Sequence, residues 1–246
     1  MDLLAFLVLL LIVVLVVGLP LMLRRTRVEL RSVEGYEILS KAMERAVEAG
    51  ERVHMSLGVG TLMGAESATA LAGISTFSKV AEATAIGDKP PVMTAGDGVL
   101  TLLAADNLRS AYARAGYSHR YETSSARMLG PTPLSYVGAL PSVLGGEHVS
   151  LHILSGSFGA EAGLAADMGE RAGATVIAGT EDVRAQALFY ATADYPLLGE
   201  EVFAGGAYLG LKGTHRASLI AQDVLRLLII LVVIVGSFLG LVGSLL

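Results

Sequence analysis

The sequence contains no cysteine and no tryptophan, and only 17% of its 246 residues are charged. The absence of cysteine excludes a disulfide framework, thiol catalysis and cysteine-ligated zinc or iron-sulfur centres. A mean hydropathy of +0.60 excludes a disordered chain. The net charge of −5 argues against nucleic acid as a partner. What the chain has instead is an excess of apolar residues, concentrated at its two ends.

Charge is missing altogether from two long runs, residues 3–23 and 227–246. A helix of that length spans about 30 Å, the thickness of a bilayer core. We therefore expect a transmembrane helix over 1–23 and, over 214–246, a juxtamembrane helix that continues into a second span. A cleaved signal peptide is the alternative for the first run, but Asp2 stands where such a peptide carries basic residues.

Basic residues flank the inner end of each run. Four arginines follow the first run, three basic residues precede the second, and none lies beyond either distal end: Arg24, Arg25, Arg27, Arg31, Lys212, Arg216 and Arg226. The positive-inside rule then predicts an inner-membrane protein with a cytoplasmic domain over 24–213 and both termini on the outer side. Membrane lipid is accordingly an expected partner.

The second run also carries small residues at a spacing of four, at Gly236, Gly240 and Ser244. Such a face lets another helix backbone approach closely, so it favours helix pairing. The pairing partner is either another copy of the chain, which would make a homo-oligomer, or the chain's own first span.

Between the runs, short apolar segments alternate with helical patterns of about 12 to 20 residues. This alternation is typical of βαβ units, and it predicts a Rossmann-like α/β domain, a parallel sheet with helices on both faces. The predicted strands are 52–57, 91–95, 125–129, 149–154 and 175–178. The helix predicted over 134–144 contains Pro141, which we expect to break it.

The turns after these strands are rich in glycine and hydroxyl residues, and right-handed crossovers bring them to one edge of the sheet. The turn beginning at Gly58 is one residue longer than a dinucleotide-binding fingerprint, and the turn beginning at Ser155 precedes a helix N-terminus that favours anions. Tight turns and ordinary helix capping are the competing interpretations. The candidate residues for a small anionic ligand are Gly58, Gly60, Gly96, Ser155, Gly156, Ser157, Gly159 and Thr180.

Acidic residues follow the same strands, with Asp97, Glu161 and Asp182 as the candidates for catalysis. Together with Glu66 and Glu181 they could perform acid-base work or hold Mg²⁺, although each also stands where a carboxylate stabilises a helix N-terminus. The five histidines show no metal-ligand spacing, so no metal site is predicted. No particular cofactor is indicated.

Several segments together resemble an uncharacterised family of bacterial membrane proteins, a domain-of-unknown-function family. The resemblance runs over nearly the whole chain and is carried by the terminal spans, the Arg-rich exit at Arg24 and the motifs at Val53–Gly60, Gly96–Gly98, Ser157–Gly159, Gly179–Asp182 and Tyr190–Asp194. It implies two spans and a Rossmann-like cytoplasmic domain. Because the family has no assigned activity, the resemblance implies no catalytic residues.

These observations favour a membrane-anchored, homo-oligomeric scaffold or interaction protein. The alternative is a membrane-tethered binding module or enzyme for a small anionic ligand, nucleotide-like or phosphorylated, at the Gly-rich edge. Because no reaction is indicated by the residues, enzymatic activity stays open and is the less favoured interpretation.

Overall fold

The structure is a computed structural model, and it describes residues 10, 13, 14, 18, 30–64, 66–210, 219–220 and 222–234. The chain divides into two compact units, Met1–Arg31 with Gly210–Leu246, and Ser32–Leu209. In the first unit residues 222–234 are helical. None of the helices formed by the described residues combines the length and the apolar character needed to cross a membrane. The predicted spans fall mostly outside the described residues, and Gly236, Gly240 and Ser244 fall wholly outside them.

The second unit is built on a sheet of six parallel strands. In chain order they are β1 Arg52–Gly58, β2 Val92–Ala95, β3 Ala126–Met128, β4 Val149–Ser157, β5 Thr175–Gly179 and β6 Tyr195–Leu197. Their order across the sheet is β3-β2-β1-β4-β5-β6, the order of the doubly wound dinucleotide-binding fold. The prediction of a Rossmann-like parallel sheet is therefore confirmed.

Seven α-helices of the described residues accompany the sheet of this unit. They are α1 Glu34–Ala49, α2 Ser67–Thr84, α3 Gly98–Ala115, α4 Pro133–Leu144, α5 Ala162–Arg171, α6 Val183–Thr192 and α7 Gly205–Tyr208. The first three pack beside one another, as do α4, α5 and α6, so the sheet carries helices on both faces. The inner strands β1, β2, β4 and β5 are buried almost throughout because both of their faces are covered.

The helix α2 packs unusually close to the sheet. A Cβ built on Gly73 would stand 2.2 Å from the carbonyl oxygen of Ser155 in β4, so only glycine allows this approach. Ala70, Ile74 and Phe77 on α2 are buried against the same layer. The close-packing glycine of the β1–α2 unit is therefore Gly73.

Two parts of the predicted strand pattern were wrong. The strand β4 continues through Ser155, Gly156 and Ser157 instead of turning at Ser155, because β5 and β1 pair with these residues. The strand β6 was not predicted at all. It contains Pro196 and pairs with β5 alone, and an edge strand tolerates the missing N–H group.

Pro141 lies inside α4 and does not break it. It sits in the last turn on the exposed side of the helix, and the Gly145 N–H still donates to the Pro141 carbonyl at 3.0 Å. A capping box between Thr132 and Ser135 fixes the opposite end of the helix, with Pro133 at the first position.

Candidate functional site

The candidate site lies where the chain reverses direction across the sheet, between β1 and β4. The chain leaves β1 toward β2 on one side and leaves β4 toward β5 on the other. Open parallel sheets bind ligands outside the carboxyl ends of the strands at such a switch point. The turns after β1 and β4 therefore occupy the position from which a ligand site would be built.

Backbone contacts join the turns after β1, β2 and β4. The Val59 N–H donates to the Ser157 carbonyl at 3.1 Å, and the Gly96 N–H donates to the Gly58 carbonyl at 2.8 Å. Gly58 has φ +70°, and a Cβ there would stand 2.1 Å from the Ser157 oxygen. A Cβ on Gly60 would stand 2.5 Å from the Ser157 Cβ. The expected convergence of these turns at one edge is confirmed.

The groups expected to cradle an anion already have partners within the domain. The Ser157 hydroxyl donates to Glu181 Oε1 at 2.9 Å, and the Gly159 N–H donates to Glu161 Oε1 at 2.9 Å. The Phe158 N–H donates to Thr180 Oγ1 at 3.3 Å, and the Thr180 hydroxyl donates to Glu181 Oε2 at 3.2 Å. An incoming phosphate would have to displace two carboxylates that repel it.

The remaining acidic candidates act as helix caps. Asp97 Oδ1 accepts the Leu100 N–H at 2.8 Å, at the start of α3. Asp182 Oδ1 accepts the Arg184 N–H at 2.7 Å and the Ala185 N–H at 3.2 Å, at the start of α6. The Arg184 side-chain hydrogen bond, followed by these N–H groups, lowers the pKa of Asp182 to about 2.

Asp97 and Asp182 are thus bonded to N–H groups in the first turns of the helices that follow them. Glu161 is buried with its carboxylate turned back to the Gly159 N–H. Within the part of the chain that the structure describes, no three His, Asp or Glu side chains are arranged to hold a metal ion. Roles for Asp97, Glu161 and Asp182 in catalysis stay a prediction.

A buried polar network lies beneath this edge, between the sheet and α4, and the sequence did not predict the hydroxyl groups that complete it. His54 Nδ1 and His152 Nδ1 are 2.8 Å apart, and His54 Nε2 lies 2.9 Å from Thr94 Oγ1. The Tyr136 hydroxyl of α4 is 2.6 Å from Thr94 Oγ1 and 2.6 Å from Ser56 Oγ. All five side chains are fully buried.

The network consists of neutral groups. Burial, followed by the repulsion that a second protonated imidazole at His152 would exert, lowers the pKa of His54 well below its ordinary value. Burial lowers the pKa of His152 to about 4 and raises the pKa of Tyr136 to about 12. One N–H is shared between the two Nδ1 atoms, so one imidazole donates and the other accepts. The positions of His54 and Ser56, two apart in β1, were the available signal, because such residues share a face.

A comparison with known protein families gives a match, and it covers nearly the whole chain. Residues 1–245 match the family described as a domain of unknown function, DUF6754. The chain belongs to the DUF6754 family. The predicted resemblance to an uncharacterised family is confirmed, whereas bacterial origin and membrane topology stay predictions. No curated protein and no solved structure matches the chain significantly.

The carboxyl edge of the sheet in this DUF6754 domain also exposes large apolar side chains. The sequence pattern did not show which apolar residues are exposed. The four most exposed ones among the described residues are Met63 (87%), Val183 (77%), Leu134 (76%) and Leu102 (73%). Met63 lies in the turn after β1, Val183 and Leu134 are at the first and second positions of α6 and α4, and Leu102 is in the first turns of α3. All four therefore follow the carboxyl end of a strand.

Proposed function

We propose that this protein is a membrane-anchored, homo-oligomeric scaffold or interaction protein whose α/β domain presents the carboxyl edge of its sheet to a partner. The observation that carries the proposal is the combination at that edge of engaged hydrogen-bond donors and exposed apolar side chains. Large exposed apolar side chains that group together mark interaction surfaces in folded domains. Donors already bound to Glu161 and Glu181 are poorly suited to a small anion.

The anchors in this proposal are the uncharged runs 3–23 and 227–246. Their flanking arginines support an inner-membrane protein with a cytoplasmic central domain, in contact with membrane lipid and with both termini on the outer side. Gly236, Gly240 and Ser244 are the proposed contact face between copies, because small residues at that spacing permit close helix approach.

The test is the mass of the full-length protein in mild detergent, by size exclusion with light scattering. We expect an oligomer that the double variant Gly236→Leu/Gly240→Leu dissociates. The matched control is Phe238→Leu, which lies about 200° around a helix from Gly236 and should leave the mass unchanged. A wild-type monomer, or an oligomer of the same mass in the glycine double variant, would contradict this part of the proposal.

The alternative function is a binding module or enzyme for a small anionic, nucleotide-like or phosphorylated ligand. It is favoured by one observation, the position of Gly58, Gly60 and Ser157 at the switch point of a sheet with the dinucleotide-binding strand order. A nucleotide or sugar phosphate that binds there should raise the melting temperature of the full-length protein. Glu181→Gln should enlarge that rise by removing a repelling charge, and a flat screen would eliminate the alternative.

A further inference from the structure

We propose that the carboxyl edge of the sheet binds a cationic, amphipathic polypeptide segment of a partner protein. The inference rests on the proposed function as an interaction protein and names the chemistry of its partner. It is carried by two neighbouring surfaces of the edge, an apolar one at the ends of β2 and β3 and an acidic one at the ends of β1 and β5.

The apolar surface consists of Val99, Leu102, Met128 and Leu134. A Cβ on Gly98 would stand 4.0 Å from Met128 Sδ, which places the start of α3 beside the end of β3. The Gly96 turn also lies against Gly130, which precedes α4 and packs on Ser135. The first turns of α3 and α4 are therefore neighbours, and all four apolar side chains are exposed.

The acidic surface consists of the exposed Glu66 and the half-buried Glu181 and Asp182. Gly60 and Ser157 connect its members, because a Cβ on Gly60 would stand 3.4 Å from Glu66 Oε2 and Ser157 donates to Glu181. The segments that run from the end of each strand through the first turn of the next α-helix contain seven carboxylates in all and a single basic residue, Arg184. Arg184 is already paired with Asp182 at 3.0 Å.

Charge decides between the possible occupants. The same edge of a second copy would bring two strongly acidic surfaces together, and an anionic lipid surface would likewise be repelled. A segment with Lys or Arg on one face and Leu or similar residues on the other complements both surfaces. The ends of β3 and β5 are four strand spacings or about 19 Å apart, which a helix of about 13 residues covers.

The experiment uses the full-length chain in nanodiscs of zwitterionic lipid, with empty nanodiscs as the blank. The probe is a labelled 14-residue amphipathic helix of leucine and lysine, and its counterpart of leucine and glutamate is the matched peptide. We expect the lysine peptide to bind above the blank, the glutamate peptide not to bind, and binding to weaken as salt screens the charges.

Variants locate the binding. Leu134→Ser and Glu66→Lys change exposed side chains and should each weaken binding of the lysine peptide at least fivefold. Tyr190→Ser, an equally exposed position at the far end of α6, should leave it unchanged. Equal binding of both peptides, or binding insensitive to Leu134→Ser and Glu66→Lys, would overturn the inference.

A lipid occupant gives a different result. Because the chain has no cysteine, an environment-sensitive dye can be attached at Leu134→Cys alone. We expect its emission to shift when the lysine peptide is added. A shift caused instead by phosphatidylserine in the nanodisc, without peptide, would assign the edge to the membrane. Loss of the oligomer in detergent leaves all these readouts intact, so failure of the oligomer and failure of the partner assignment are distinguishable.

Discussion

At the scale of single residues, Gly58 allows the turn after β1 to pack against the end of β4. Its φ of +70° and the 2.1 Å approach of the Ser157 oxygen leave no room for a Cβ. We expect Gly58→Ala to lower the free energy of unfolding by more than about 2 kcal/mol, because left-handed strain and a backbone clash combine. Chemical denaturation of the full-length protein in detergent measures the change.

The matched control is Gly138→Ala in α4, where a Cβ would meet nothing within 4 Å and the backbone is helical. It should raise stability by roughly 0.5–1 kcal/mol, since alanine is the better helix former. If both variants changed the free energy of unfolding equally, the close contact between Gly58 and Ser157 would not contribute to stability.

The histidine pair makes stability depend on pH. The folded protein keeps His152 neutral down to about pH 4, whereas the unfolded chain protonates it near 6.5. Between these values the unfolded state binds more protons, so stability is complete above pH 6.5 and falls as the pH drops toward 4. His152 alone accounts for a loss of about 3 kcal/mol across this window.

Denaturation at several pH values measures that slope. The exposed His119→Gln should leave the slope as it is, and the double variant His54→Leu/His152→Leu should flatten it, whatever its effect at pH 8. A wild-type stability that did not change between pH 6.5 and 4 would show that the pair is not held neutral.

At the scale of elements, one hydroxyl of α4 adds hydrogen bonds to the apolar packing between this helix and the sheet. The Tyr136 hydroxyl bridges Ser56 of β1 and Thr94 of β2. Tyr136→Phe should cost about 1–3 kcal/mol because it leaves buried hydroxyls without their partner. Tyr190→Phe, an exposed position on α6, should change stability by less than about 0.5 kcal/mol. Equal effects would mean that the network is not stabilising.

Some ends of helices and strands could be predicted from the sequence and others could not. The helix α3 was predictable because Asp97 caps it and Gly116 ends it with a left-handed residue. The end of β4 was not, because Ser155, Gly156 and Ser157 look like a turn, and only pairing with β1 and β5 keeps them extended. The strand β6 was not predicted because Pro196 favours a loop. A proline fits a strand only at the edge of a sheet, and the sequence does not show that β6 lies there.

At the scale of the whole molecule, the prediction concerns topology. The chain has no cysteine, so single cysteines report on one position each. In intact cells a membrane-impermeant maleimide should label Asp2→Cys and Leu246→Cys but not Ser118→Cys, which lies in the central domain. After the membrane is opened, Ser118→Cys should react, because Ser118 is exposed. Labelling of Ser118→Cys in intact cells would reverse the proposed orientation.

The sequence by itself determined the class of fold and the convergence of the turns after β1, β2 and β4. Alternating strands and helices admit few parallel arrangements, and right-handed crossovers place those turns at one edge. The tertiary structure alone decided how the edge is used. Contacts between residues far apart in the chain decide whether the N–H groups near Ser157 are free and which carboxylates accept from them. Such contacts also decide which apolar side chains stay exposed. Local spacing carries no information on those contacts, and this is why the predicted anion cradle became an acidic edge beside an apolar surface.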